Sequence, residues 1–258
     1  MELEEILESL KAGKLSTSKA QKLLSLYSIE KIEDFAKIDV GRKNRRGIPE
    51  VIFAENKQLE EIKKIIQKTL KKSNSVLVSR IKESDYKKIT DYGKKINVKK
   101  DEGKNSTSIL FYKKSIKSKF GKVAILCAGT SDIGIAEEAR LMCKAMNCET
   151  ISNYDIGIAG MHRLFPVLKE LISKDVDVII TVAGMEGALA TVVSSLVDVP
   201  VVGVPSSVGY GYGRKGVAAL AAMLQSCALG MSVVNIDNGI GAGAVAANIC
   251  RRINLKKK

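Results

Sequence analysis

The 258-residue sequence contains no tryptophan, a single histidine and only 5% aromatic residues. Its five cysteines form no CxxC pair, and this dispersal together with one histidine excludes an evident zinc site. In a reducing cytosol we expect them to be free thiols. No apolar run approaches the roughly 18 residues that a membrane helix needs, and the acidic, amphipathic start lacks the basic and apolar regions of a signal peptide. We therefore expect a cytoplasmic protein with no membrane partner.

The net charge of +14 is distributed unevenly along the chain. Residues 1–121 carry 29 Lys and Arg against 17 Asp and Glu, whereas residues 122–258 carry 13 against 11. Glycine shows the opposite bias, with 15 of its 21 occurrences after residue 121. These shifts predict two domains, 1–121 and 122–258. The lysines of the first are scattered without interleaved arginines and aromatics, so we expect no nucleic acid partner.

The basic first part predicts a small α+β domain of short elements. Leucine and isoleucine recur at helical spacing in residues 2–11 and 17–27, and again from 58 to 70. Residues 34–40 and 50–54 are typical of strands, joined by a basic turn. That turn holds Arg42, Arg45 and Arg46 next to Glu50, in a region that otherwise uses lysine. Arginine forks bind phosphate or carboxylate, so the cluster is either an anion site or a solvated turn paired with Glu50.

The second part predicts a parallel, doubly wound α/β sheet. Val- and Ile-rich runs without alternation at 122–127, 177–183, 200–204 and 231–236 are typical of strands buried on both faces. A further strand is predicted near residues 149–152. Helical segments separate the runs, at 132–147, 164–174, 186–197, 216–226 and 241–254. Strands alternating with helices indicate this architecture.

Each predicted strand of this part ends at a loop of small residues, the first being Gly129-Thr130-Ser131-Asp132. Glycines allow backbone N–H groups to approach a ligand, and several helix N-termini would face one crevice at the carboxyl ends of the strands. This favours an anionic or nucleotide ligand. Neither G-x-G-x-x-G nor G-x-x-x-x-G-K-[ST] is present, so the pattern does not say which one.

Three residues could carry chemistry. His162, beside Arg163, occupies a glycine-rich loop instead of an apolar face, which favours a binding or catalytic role. Glu186 opens a helix, where a carboxylate is common for structural reasons alone. Cys227 precedes a buried strand, and on its own such a cysteine is more often a packing residue.

From Lys122 onward the order of motifs resembles the PurE family, the aminoimidazole ribonucleotide carboxylases. The stretches that carry this resemblance are Gly129-Thr130-Ser131-Asp132, Met161-His162-Arg163, Ala183-Gly184-Met185 and Gly203-Val204-Pro205. It implies a PurE-like, three-layer α/β fold. Gln225-Ser226-Cys227 departs from the Gln-Met-Pro of that family, and residues 1–121 have no counterpart in it.

The closer resemblance is to LarB, the pyridinium-3,5-biscarboxylic acid mononucleotide synthases of nickel-pincer cofactor biosynthesis. It is carried by Gly160 to Leu164, Ala183 to Leu189, Val208 to Gly211, Ser226 to Ala228 and Val234 to Gly239, with Arg46 to Phe53 in the first part. Its departures are small, such as Ile240 in place of a usual Phe.

This resemblance implies that nicotinic acid adenine dinucleotide is carboxylated at the pyridine C5 with CO2 or bicarbonate, and that its phosphoanhydride is hydrolysed to release AMP. The pyridinium ring is electron-poor, so its C5 cannot attack CO2. Addition of the Cys227 thiolate at C4 would leave an enamine whose C5 is nucleophilic. A thiolate is also a good leaving group, so the resemblance gives Cys227 a role that its position alone did not.

The resemblance also implies a site. Asp132, His162 and Glu186 are expected to act with Cys227, Glu186 also as a ligand of Mg²⁺, with no organic cofactor. The substrate-binding residues expected are Gly129, Thr130, Ser131, Arg163, Gly184, Met185, Ser206, Ser207, Gly209, Tyr210, Gly211, Asn238 and Gly239, with Arg45, Arg46 and Glu50 closing the site from the first domain. A homo-octamer is expected on the same basis. Two alternatives remain open: a PurE-type carboxylase or mutase of purine biosynthesis, and a non-catalytic nucleotide- or RNA-binding module.

Overall fold

A computed structural model describes residues 3–24, 30–32, 36–38 and 47–256 of the chain. Its first part is a mixture of short helices and strands. The helices are α1 (Leu3–Lys11), α2 (Thr17–Leu24), α3 (Leu59–Lys72) and α4 (Glu83–Lys95), and the strands are β1 (Glu30–Ile32), β2 (Ala36–Ile38), β3 (Val51–Phe53), β4 (Ser75–Ser79), β5 (Lys99–Glu102) and β6 (Ile109–Tyr112).

In the second part strands and helices alternate. The strands are β7 (Lys122–Cys127), β8 (Glu149–Asn153), β9 (Val178–Ala183), β10 (Val201–Pro205) and β11 (Met231–Val233). The helices are α5 (Ile133–Ala145), α6 (Leu164–Ser173), α7 (Ala188–Ser194), α8 (Val217–Leu224) and α9 (Gly239–Lys256). Short 3-10 turns precede α5, α6 and α8. Among the helices described here, none is both long and apolar enough to cross a membrane.

The five strands of the second part form one parallel sheet in the order β11-β10-β9-β7-β8. Alternate residues of β7 serve opposite faces. Val123, Ile125 and Cys127 pack with α5 and α9, whereas Ala124 and Leu126 pack with α6, α7 and α8. Since both faces are covered, the central strands are apolar throughout. The predicted doubly wound, three-layer sheet is confirmed.

The first part contains a four-stranded mixed sheet in the order β3-β4-β6-β5, in which only the β3–β4 pair is parallel. One face carries Val76, Val78 and Phe111, which pack with α3 and α4. The opposite face carries Leu77 and Leu110, which belong to the same core as α5. The smaller α+β unit is therefore seated on a helix of the parallel sheet's outer layer.

A group of charged side chains joins α5 to β5. Arg140 donates to both carboxylate oxygens of Asp101, at 2.9 and 3.0 Å, and its Nε lies 2.8 Å from Glu137. Lys144 also pairs with Asp101, and the backbone N–H of Lys104 donates to Glu137 at 2.9 Å. Burial acts to raise the pKa of Asp101, but Arg140 and Lys144 outweigh it and lower that pKa. These contacts fasten the two parts of the chain together.

The structure shows two features of the first part that the sequence did not predict. Strand β2 pairs antiparallel with β1 and is not paired with β3. Strand β5, with the sequence Lys-Lys-Asp-Glu, was not predicted because it has no apolar residue. It holds the sheet edge through its backbone pairing with β6 and through Asp101. Most of the basic turn lies outside the described residues.

We expect Arg140→Ala to lower the free energy of unfolding by about 3 kcal/mol, because it leaves the buried Glu137 and the largely buried Asp101 without their main partner. The loss is measured by chemical denaturation at neutral pH. Because the pKa of Asp101 is lowered in the folded state, its stabilising contribution is complete at neutral pH and lost as the pH falls below about 4.

The matched control is Lys94→Ala, which removes an exposed pair with Asp91 within one helix. It should change stability by less than about 0.5 kcal/mol. Equal effects of the two substitutions would contradict the role given to Arg140.

Candidate active site

A crevice of about 590 Å³ opens at the carboxyl ends of β7, β8, β9 and β10. The chain leaves β7 toward α5 on one face of the sheet and leaves β9 toward α7 on the other face. Adjacent loops that diverge in this way create the cleft in which open α/β sheets bind ligands. Nine predicted residues line it: Gly129, Thr130, Ser131, Asp132, Gly184, Met185, Glu186, Gly209 and Tyr210.

Asp132 is the buried carboxylate of this crevice. Its Oδ2 accepts the N–H of Gly129 at 2.9 Å, which closes the turn after β7, while its Oδ1 is buried without a hydrogen-bond partner. Burial raises the pKa of Asp132, and the nearby Ser206 hydroxyl and the Gly129 N–H offset this only in part. A carboxyl group of this kind is suited to receive a proton.

The loops after β9 and β10 are held against each other. The Ser206 N–H donates to the Ala183 carbonyl at 2.9 Å, and the Met185 N–H donates to the Val208 carbonyl at 3.3 Å. Met185 has a φ of 52°, a left-handed conformation that is uncommon outside glycine. These contacts leave the Glu186 carboxylate and the Tyr210 ring, 79% exposed, free to face a ligand.

The loop after β8 forms the outer rim. Arg163 pairs with Asp155 at 2.7 Å, and Asp155 itself lines the crevice. His162 and Arg163 are exposed in the 3-10 turn before α6 and are not among the residues lining the crevice. Asp155 was not singled out in the sequence, although it follows a strand like the other loop residues.

Ser206 and Ser207 have different positions. The buried Ser206 hydroxyl accepts the Val208 N–H at 3.1 Å and supports the crevice from behind. Ser207 donates its N–H to Asp237 Oδ1 at 2.8 Å and lines a second cavity. Asp237, which was not predicted, has a φ of 55° and fixes this loop from the start of α9.

Several predicted binding residues lie outside the crevice. Asn238 accepts the Gly241 N–H at 2.8 Å and so caps α9. Gly239 lies so close to α5 that a Cβ there would be 2.2 Å from the Ile135 carbonyl oxygen. Gly211 and Glu50 line neither cavity, and Arg45 and Arg46 lie outside the described residues.

Cys227 lies at the other end of the sheet. Helix α8 ends at Leu224, so Cys227 occupies the loop that leads to the first residue of β11 instead of closing the helix. Because β11 runs parallel to β10, this loop is at the amino ends of the strands. Cys227 is not among the residues that line the crevice of its own chain.

Within the described ranges, no group of three or more His, Cys, Asp and Glu side chains is arranged to hold a metal ion. Glu186 and Asp155 are exposed carboxylates in the crevice, and Asp155 is paired with Arg163. Mg²⁺ commonly takes one or two carboxylates and completes its shell with water and phosphate oxygens. The residues therefore fit a magnesium ion only if substrate phosphates supply further ligands.

A second cavity of about 490 Å³ adjoins the first, and Ser131 and Val208 line both. Its remaining wall includes Arg80 and Glu138, which the sequence interpretation had passed over. Glu138 Oε1 accepts the hydroxyls of Ser79 and Ser108, at 2.6 and 3.2 Å. Burial raises its pKa, and these hydroxyls and Arg80 partly oppose that increase.

Comparison with known families accounts for both parts of the chain. The family described as LarB/PurE-like N-terminal domain matches residues 29–103, and the family described as AIR carboxylase matches residues 122–257.

Individual relatives match the chain to different extents. An uncharacterized protein of Methanocaldococcus jannaschii is 44% identical over 253 residues, covering 96% of this chain and 97% of that protein. The N5-carboxyaminoimidazole ribonucleotide mutase of the same organism is 30% identical over 140 residues, covering 53% of this chain and 84% of the mutase. A crystal structure of a PurE variant from Treponema denticola covers 53% of this chain and 92% of its own, with 22% identity and a TM-score of 0.40.

The contact between the crevice loops can be tested at Gly184, where a Cβ would lie 2.1 Å from the Val208 carbonyl oxygen. We expect Gly184→Ala to push the two loops apart and to destabilise the fold by about 1–3 kcal/mol. Gly129→Ala is the control, since the nearest atom to its Cβ is Asp132 Oδ2 at 3.4 Å, an ordinary contact. Thermal unfolding of both variants measures the difference, and equal midpoints would contradict the expectation.

Proposed function

Since the chain belongs to the LarB family and has the domains of a carboxylase-related, nucleotide-processing enzyme, we propose that it acts on nicotinic acid adenine dinucleotide. In this proposal the protein carboxylates the pyridinium C5 with CO2 and hydrolyses the phosphoanhydride to release AMP. The other product is a dicarboxylated pyridinium mononucleotide.

The observation that carries the proposal is the exposure of one thiol. Of the five cysteines, all within the described residues, Cys227 is exposed and the other four are buried. Burial raises the pKa of Cys127 to about 11 and also raises the pKa of Cys143, so both stay protonated at neutral pH. Because the thiolate is the nucleophile, Cys227 is the accessible candidate for attack on an electron-poor ring.

The proposed carboxylation conserves atoms and electrons. The thiolate forms a C–S bond at C4, and the ring becomes a dihydropyridine whose enamine carbon C5 attacks CO2. A base then removes the C5 proton. The C–S electron pair returns to sulfur, so that the ring regains aromaticity and the thiolate is regenerated.

Asp132 is the residue we assign to proton removal. It lines the crevice, its Oδ1 has no hydrogen-bond partner, and its pKa is raised by burial. A carboxylate with a raised pKa is a better base, and the Gly129 N–H holds it in one orientation through Oδ2. Gly129, Thr130 and Ser131 would hold the ring nearby.

The phosphoanhydride would lie toward the exposed loops. Gly184 and Gly209 bring backbone close to the crevice, and Glu186, His162 and Arg163 lie in it or near its rim. If Mg²⁺ takes part, Glu186 would hold it, and the ion would supply charge neutralisation at the pyrophosphate oxygens. Glu186 and His162 are the candidates for moving a proton at the bridging oxygen and the attacking water.

We propose that Cys227 acts on the crevice of a neighbouring copy of the chain. Its loop leads into the amino end of β11, and it does not line the crevice of its own chain. Exposed apolar side chains flank it in sequence, Leu224 and Leu229 among them. Exposed apolar side chains occur at subunit interfaces, which supports this proposal. We therefore propose a homo-oligomer with shared sites, in agreement with the expected octamer.

A second candidate is a ribonucleotide mutase or carboxylase, because the mutase of Methanocaldococcus jannaschii is 30% identical over the residues that match. This alternative predicts turnover of an aminoimidazole ribonucleotide and a rate that does not depend on Cys227. It assigns no task to the first part of the chain.

The proposed reaction is tested by incubating the purified protein with nicotinic acid adenine dinucleotide and bicarbonate, followed by mass spectrometry. We expect AMP and a mononucleotide with one additional carboxyl group. Cys227→Ser should reduce the carboxylation rate by at least about a thousandfold, as loss of a nucleophile usually does. Ser232→Ala, an exposed change in the neighbouring strand, should leave the rate unaltered. Full activity of the Cys227 variant would rule out the covalent route.

Sharing of sites between subunits predicts complementation between two inactive variants. Cys227→Ala retains an intact crevice, and Asp132→Asn retains an intact thiol. When the two chains are co-expressed in equal amounts, about one quarter of the sites should combine both intact parts. Carboxylation should return to about that fraction of the wild-type rate. If mixed oligomers form and no activity returns, the thiol does not come from a neighbour.

A further inference from the structure

The second cavity is a continuation of the crevice. Ser131 and Val208 lie between the two spaces and line both of them. The first space is built by residues 128–210 alone. The second is closed by Glu55, Arg80 and the segment Asn105–Thr107 from the first part of the chain. Both volumes fall within the range of small-molecule sites, about 300–1,000 Å³. A ligand longer than a mononucleotide could therefore extend from one into the other.

Arg80 is fixed in the wall of the second cavity. Its Nη2 donates to the Asp237 carbonyl at 3.0 Å, and its Nη1 lies 3.8 Å from Glu55. Its backbone has a φ of 54°, and Asp237 has a φ of 55°. Both residues are in the left-handed region, which is unfavourable outside glycine, and they contact each other. The surrounding structure must therefore hold this wall of the cavity in one conformation. The Arg80 side chain is 41% exposed, so part of the guanidinium remains available.

The opposite wall is equally constrained. Gly134 opens α5 beneath Asn105, and a Cβ at Gly134 would lie 2.5 Å from the Asn105 carbonyl oxygen. The loop of the first part therefore rests directly on α5, which begins immediately after Asp132. It brings the polar side chains of Asn105, Ser106 and Thr107 to the cavity.

The charges of the second cavity select the kind of ligand. Glu55, Glu138 and Asp237 face a single cation, Arg80, among the residues that line it. This balance disfavours a phosphate inside. It suits an uncharged group with several hydroxyls, because carboxylates accept hydrogen bonds from ribose hydroxyls and a side-chain amide can both donate and accept. The planar face of a guanidinium stacks on an aromatic base.

We propose that the second cavity binds the nucleoside half of the dinucleotide, the ribose and purine that leave as part of AMP. The phosphates would then lie at the junction beside Ser131 and Val208, next to the glycine loops. The first part of the chain would serve as the wall that distinguishes a dinucleotide from a mononucleotide. This inference rests on the proposed function for the identity of the nucleoside.

The probe is AMP, whose binding is measured by calorimetry on the full-length protein. Wild type should bind AMP, and 2′-deoxy-AMP should bind about tenfold more weakly, because a hydroxyl contact is lost and its partner stays unpaired. Arg80→Ala should lower the affinity for AMP by about tenfold. Asp237→Asn should lower it as well, and asparagine tolerates the backbone conformation of Asp237. Arg252→Ala is the control, the same change at an exposed arginine of α9.

Thermal unfolding establishes that each variant is folded, and Asp237→Asn gives a result even if Arg80→Ala is unstable. Lack of AMP binding by wild type, or AMP affinity equal in wild type and the folded variants, overturns the subsite. If AMP binds in an Arg80-dependent way but the dinucleotide is not turned over, the subsite stands and the proposed reaction fails. If the dinucleotide is carboxylated and its KM is unchanged in Arg80→Ala, the reaction stands and the subsite fails.

Discussion

Helix α5 packs against two sheets, with the parallel sheet on one side and β4 and β6 on the other. It begins directly after Asp132, so the same helix that joins the two parts of the chain also positions the buried carboxylate of the crevice. Its middle turns carry Glu137, Glu138 and Arg140, which bind the first part through charged and hydroxyl partners. Site and domain contact therefore depend on the placement of one helix.

The parallel sheet could be predicted from the sequence because its strands are buried on both faces, and the apolar runs of β7 and β9 have no other simple interpretation. Strand β5 could not be predicted, since Lys99–Glu102 contains no apolar residue and is held by pairing with β6 and by the ion pairs of Asp101. The partner of β2 could not be predicted either, because a strand's own residues do not specify which neighbouring strand it pairs with.

The crevice residues that directly follow strand ends could be predicted from the sequence. Asp155 and Asp237 also follow strands, so the same rule could have found them. Arg80 could not, because its role comes from a contact with Asp237 across 157 positions in the sequence. The direction of the strands was informative for Cys227. This residue precedes the parallel strand β11, so its loop lies at the amino ends of the strands, opposite the loops of the crevice.

The apolar face formed by Leu77 and Leu110 has a consequence for synthesis of the chain. Strand β6 ends at Tyr112 and α5 ends at Ala145, so the small sheet is complete before its covering helix has been translated. At the usual ~5–20 residues per second, the intervening 33 positions take roughly two to seven seconds. During that interval the nascent sheet exposes a hydrophobic surface to the ribosome's surroundings.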